Sequence, residues 1–111
     1  MNIYEMPPFP VLSLDSLGEE VTTILAENKN KTVRVERIIS AGQVSDWYDQ
    51  AETELVILVE GKAAIEYADG KIINMSRGDT LLIEPHERHR VAYTSIDPPC
   101  IWLCVFYSCS V

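Results

Sequence analysis

The stretch GQVSDWYDQAETELVILVEG, residues 42–61, carries the strongest structural signal in the chain. It opens and closes on glycine, and inside it a polar segment gives way to the unbroken apolar run Leu55-Val56-Ile57-Leu58-Val59. Such a run, short and bounded by turn residues, reads as a strand covered on both faces. Upstream of it Tyr48 and Gln50 stand two apart, so on extended chain they project to the same side. A second glycine-led stretch, GDTLLIEPHERH, residues 78–89, completes the frame.

Outward from this core the pattern stays β. Val33 and Val35 alternate with Arg34 and Glu36, the signature of a half-buried strand. Residues 63–68 form a strand with Ile65 and Tyr67 on one face, and Asp69-Gly70 is a hairpin signal because glycine accepts the positive φ such turns need. Residues 71–75 return, Ser76-Arg77-Gly78-Asp79 turns again, and strands follow over 80–84, 90–94 and 101–107. Residues 19–27 fit helical spacing through Leu17, Val21, Ile24 and Leu25, but the β-branched tract from Val21 to Ile24 and the loop Asn28-Lys29-Asn30-Lys31 favour a hairpin. Residues 1–18, with Pro7, Pro8 and Pro10, read as an extended arm, and 19–111 as the folded domain. Many short strands, regular turns and no convincing helix predict an all-β sandwich or barrel.

On the last strand Cys100, Trp102, Cys104 and Phe106 share one face, and Ile101, Leu103, Val105 and Tyr107 the other. A strand apolar on both sides needs cover on its outside, which either the N-terminal arm or another subunit could supply, and a homodimer is expected.

The 111 residues suffice for one domain with a proper core. A net charge of −8 without a basic stripe opposes nucleic-acid binding. Apolar runs are too short for a membrane span. Cys100, Cys104 and Cys109 have no zinc spacing and read as small buried hydrophobes. Free thiols with no basic N-terminal leader point to a reducing, cytoplasmic setting.

The two glycine-led stretches resemble the paired motifs of the cupin superfamily, and in particular small, stand-alone, single-domain bacterial cupins. The first motif of that family runs glycine, five residues, His-x-His, three or four residues, glutamate, six residues, glycine; here Gly42, Tyr48, Gln50, Glu54 and Gly61 meet the spacing. The second runs glycine, five residues, Pro-x-Gly, two residues, histidine, three residues, asparagine; Gly78, Glu84, His86, His89 and Tyr93 take those places, with the proline displaced to Pro85. The resemblance spans about residues 32–107. It implies a double-stranded β-helix, the cupin jelly-roll barrel, with a pocket at one end that in many members holds Mn, Fe, Ni or Zn.

Carried onto this chain, the resemblance implies a pocket lined by Tyr48, Gln50, Glu54, His89 and Tyr93, with Gln50, Glu54 and His89 as candidate metal ligands. Tyr48 and Gln50 replace the two imidazoles of the first motif, so the cofactor is either a divalent ion or none. A carboxylate facing a barrel interior is costly, and Glu54 needs a cation or a hydrogen-bond donor. Tyr48 and His86 are the candidate proton-moving groups. His86, three residues before His89, is otherwise a rim histidine in water. Trp47 reads as a wall of the pocket or an outer-face core residue, with the core reading preferred.

Three functions fit this reading. The first is binding of a small molecule without catalysis. The second is a metal-dependent oxygenase, isomerase or lyase acting on a small organic acid or carbohydrate. The third is a structural or partner-binding β-domain, which an interior filled with apolar side chains would favour.

Overall fold

The computed structural model describes residues 19–108, all in strands and connecting loops. The expected arm at 1–18, and Cys109, lie outside the described residues. Eight strands follow in order: β1 (Val21–Glu27), β2 (Val33–Ser40), β3 (Thr53–Glu60), β4 (Lys62–Tyr67), β5 (Ile72–Ser76), β6 (Thr80–Ile83), β7 (His89–Thr94) and β8 (Cys100–Tyr107). The expected hairpin at β1 and β2 forms, closed by the Asn28 side chain, whose Oδ1 accepts the backbone N–H groups of Thr32 and Val33 at 2.8 and 3.0 Å.

The strands make a five-stranded sheet, ordered β1-β2-β8-β3-β6, and a three-stranded sheet, ordered β5-β4-β7. All their pairings are antiparallel. This is the jelly-roll arrangement of a double-stranded β-helix, with the two sheets facing each other rather than closing into one continuous hydrogen-bonded barrel.

Between them lies the core. Alternation on β8 buries Cys100, Trp102, Cys104 and Phe106 and leaves Ile101, Leu103, Val105 and Tyr107 half-buried outside. Val56 and Leu58 from β3, Ala63 and Ile65 from β4, Met75 from β5 and Ile83 from β6 complete the cluster. Each large member contributes roughly 1.5–3 kcal/mol by leaving water.

The register between β3 and β8 divides this interior into two ends. Leu58 pairs with Trp102, Val56 with Cys104, and Glu54 with Phe106. Moving along the strands, the packing therefore passes from wholly apolar at Leu58 to polar at Glu54. The β3–β4 turn closes the apolar end at Gly61, whose φ of +95° and whose hydrogen in place of a Cβ let the backbone of Cys100 approach.

Candidate functional site

At the polar end the sheets enclose a cavity of about 290 Å³. Its lining is mixed: Val56, Ile65, Ile83, Val91, Trp102 and Phe106 supply apolar wall, and polar and charged side chains supply the rest.

Glu54, on β3, is 8% exposed. Its Oε1 accepts from Gln50 Nε2 at 3.2 Å, and the Cys104 thiol hydrogen-bonds the same carboxyl. Burial pushes the carboxyl above its ordinary range; the Cys104 and Gln50 hydrogen bonds and His89 oppose the rise, and the charge of Glu36 adds to it. Cys104 is pushed well up, first by burial and then by the charge of Glu54. A thiol so placed stays protonated and donates a hydrogen bond instead of acting as a nucleophile.

His89 begins β7 and is 3% exposed. Its Nδ1 lies 2.8 Å from the Glu87 carbonyl oxygen. A carbonyl only accepts, so Nδ1 carries the proton and the lone pair of the neutral ring sits on Nε2. That atom stands 3.9 Å from Glu54 Oε1, beyond hydrogen-bonding distance. The backbone holds His89 in place, its N–H donating to Tyr48 O at 3.1 Å while Tyr48 N–H donates back at 2.7 Å.

This exchange ties the two glycine-led stretches together and sets the Tyr48 ring 5.7 Å from the imidazole. The phenol of Tyr48 is pushed up, first by burial and then by the charge of Glu20. At neutral pH it is a hydrogen-bond donor.

The mouth carries residues that sequence reasoning missed. Arg34 Nε donates to Glu36, its two terminal nitrogens reach Glu52 at 3.3 and 3.4 Å, and its guanidinium lies 4.4 Å from the Phe106 ring centre. The spacing of Arg34 and Glu36 shows a polar face on β2, which sequence logic assigns to solvent. In the structure both residues line the cavity. The signal was present; its direction depends on the interior being polar at this end.

The expected site residues separate as follows. Tyr48, Gln50, Glu54 and His89 all line the cavity, and Tyr93 does not. On β4, Ala64 pairs with Tyr93 but Ile65 with Val91, so Ala92 is an extra residue, a β-bulge. The bulge reverses the alternation, keeps Val91 inward and leaves Tyr93 47% exposed.

His86 also sits outside the cavity. Its φ is +62°, its side chain is 69% exposed, and its Nδ1 lies 2.7 Å from Asp49 Oδ1. Trp47 is not core. It is 39% exposed, with the guanidinium groups of Arg88 and Arg90 5.3 and 5.2 Å from its ring centre.

The candidate ligands Gln50, Glu54 and His89 do converge, but they do not fit a tightly held metal. Among the described residues no group of three or more His, Cys, Asp or Glu could hold an ion. Burial raises the pKa of the Glu54 carboxyl, which works against the deprotonated form that a ligand needs. Gln50 turns its amide N–H, not its oxygen, to Glu54. One imidazole remains as a strong donor, too few for a closed or an open catalytic site. The arrangement suits hydrogen bonding to an organic molecule.

Comparison with known proteins agrees with this geometry at the level of family. The cupin domain model matches residues 35–106. A crystal structure from Ralstonia eutropha, titled a "putative mannose-6-phosphate isomerase", is 37% identical, covers 93% of this chain and 100% of its own, and superposes with a TM-score of 0.77. A cupin superfamily protein from Desulfitobacterium hafniense is 19% identical over 92% of this chain and 94% of its own, TM-score 0.72. An RmlC-like cupin from Shewanella frigidimarina is 19% identical over 81% and 77%, TM-score 0.69. The last two show the fold alone. No curated protein matches the chain. The chain belongs to the cupin superfamily.

Proposed function

We propose that this single-domain cupin binds a small organic molecule in the cavity between its sheets. One observation carries the reading: a space of about 290 Å³ that is lined by apolar side chains together with polar ones, Gln50, Glu54 and His89 among them. A purely structural domain gains nothing from leaving that volume unfilled, since packing it would add stability. The volume lies at the lower end of the range for small-molecule pockets.

A ligand screen followed by backbone amide NMR tests it. A binding molecule shifts the resonances of Tyr48, Gln50, Glu54 and His89 and leaves those of Met75 and Gly61 at the closed end unmoved. His89→Ala removes the response and costs about 1–3 kcal/mol of stability, because the Glu87 carbonyl loses its donor. Shifts confined to the outside of the five-stranded sheet contradict the reading.

A second reading, proton transfer within a bound hydroxy-carbonyl compound, is favoured by the opposition of a lone pair on His89 Nε2 and a carboxyl on Glu54 3.9 Å apart. The 37% identical relative, described as an isomerase, points the same way. In that reading His89 takes a proton from carbon and Glu54 supplies one to oxygen. Incorporation of solvent deuterium into a bound aldose or ketose, lost in Glu54→Gln, tests it.

A further inference from the structure

Resting on the pocket-binding reading, we propose that the ligand class is an organic cation: a small amine with an apolar body, bound body-inward with its ammonium among the carboxylates.

The first ground is the charge of the lining. Glu20, Glu36, Glu52 and Glu54 all line the cavity, against Arg34 as its one arginine and His89 as its one histidine. The arginine is committed already. Its Nε is on Glu36, its two terminal nitrogens are on Glu52, and its guanidinium lies against Phe106. An anionic ligand such as a sugar phosphate would meet four acids while its natural partner is held by two of them.

The second ground is hydrogen-bond polarity, which is independent of net charge. The His89 side chain is 4% exposed, and its Nδ1 is used by the Glu87 carbonyl. Its Nε2 is left facing the cavity as an acceptor, with Glu54 too far away to satisfy it. Glu54 has taken the donors within reach, Gln50 Nε2 and the Cys104 thiol. The most deeply buried polar atoms that remain, His89 Nε2 and the Glu54 oxygens, are therefore acceptors, while the 44% exposed Tyr48 offers a phenol O–H. An ammonium group offers three donors and no acceptor, the complement of that set.

The third ground is shape. The apolar residues lie along the strands towards Leu58, and the acids towards the mouth, so an amphipathic guest has one favourable orientation. Tyr48, Trp102 and Phe106 add aromatic surface, which attracts cations as well as apolar groups.

The test compares benzylamine, benzyl alcohol and benzoate, which share a ring and differ in charge, by amide NMR titration at neutral pH. The expected result is that benzylamine shifts the cavity resonances with a dissociation constant at least about tenfold below those of the other two. Glu54→Gln then weakens benzylamine severalfold and benzyl alcohol by a smaller factor. Benzoate or benzyl alcohol binding as tightly as benzylamine overturns the cation proposal while the cavity stands as a binding site. No cavity response to any of the three overturns both.

Discussion

Glu54 and His89 belong to different sheets, yet their side chains meet across the cavity, Oε1 and Nε2 lying 3.9 Å apart. Glu54 comes from β3, an interior strand of the five-stranded sheet between β8 and the edge strand β6, and His89 from the first residue of β7, at the edge of the three-stranded one. The pair thus measures how closely the sheets are held at the open end. Each member is anchored by groups other than its opposite number: Glu54 by Gln50 and Cys104, His89 by Glu87 and the Tyr48 backbone.

Glu54 makes stability depend on pH in a defined direction. Burial raises its carboxyl pKa in the folded state above the unfolded value. The folded state therefore holds this proton more tightly, and the contribution is complete below the unfolded carboxylate range. It is lost as pH rises through the folded value. Glu54→Gln removes the titration and keeps an acceptor for Gln50. The variant is expected to match the wild type near pH 4–5 and to exceed it towards pH 8 by on the order of 1 kcal/mol, a few degrees in Tm. Parallel urea melts across that range check it, and a constant difference at every pH contradicts it.

The donor set predicts the metal content. With one imidazole, one carboxyl whose anion burial disfavours and an amide presenting N–H, protein purified without a histidine tag should hold well under one equivalent of Mn, Fe, Ni or Zn. Elemental analysis of the wild type, Glu54→Gln and His89→Ala should give the same low values. One ion per chain in the wild type, absent from both variants, would reverse this conclusion.

The fold was far more legible than the site, and the reason is range. Strand and turn signals are local: the alternation on β8 and the Asp69-Gly70 turn need no knowledge of distant residues. Gly70 indeed has φ of +92°. The direction of a polar face is not local. Arg34 and Glu36 look like the wet side of β2, and only the polar end of the cavity makes them inward. Nor does anything around Ala92 announce the bulge that turns Tyr93 out. Gln50, Glu54 and His89 became visible together only through the resemblance to paired motifs, since nothing local joins positions 35 residues apart, Glu54 to His89.

The outer face of the five-stranded sheet predicts the oligomer. Leu103 and Val105 on β8 pair with Ile57 and Leu55 on β3, and Val105 pairs with Val35 on β2. All five are only half-buried, an apolar patch to which β2 adds Val35 and which is bounded there by the buried Arg37 opposite Leu103. We expect a second copy of the chain to cover it, so light scattering at micromolar concentration should give twice the 12.5 kDa chain mass. Val105→Glu places a charge at its centre and should halve the mass while leaving the β circular dichroism intact. A wild-type mass of one chain contradicts the expectation.

Gly61 and Gly78 both turn the chain at positive φ, +95° and +87°, but they differ in what surrounds them. A Cβ on Gly61 would stand 2.8 Å from Cys100 Cα, 2.9 Å from its Sγ and 2.9 Å from Pro99 O. Two of those are backbone atoms, at a point where Cys100 is wholly buried and its thiol donates to Lys62 O. Relief requires moving β8 away from the β3–β4 turn. A Cβ on Gly78 meets nothing within 4 Å. Alanine at Gly78 therefore incurs only the left-handed backbone cost, about 1 kcal/mol, whereas Gly61→Ala adds the clash and should lose about 2–4 kcal/mol. Urea unfolding of the two variants isolates the steric part, because the backbone part is common to both. Similar losses would mean that β8 yields at Cys100, and the closed end would then be softer than its packing indicates.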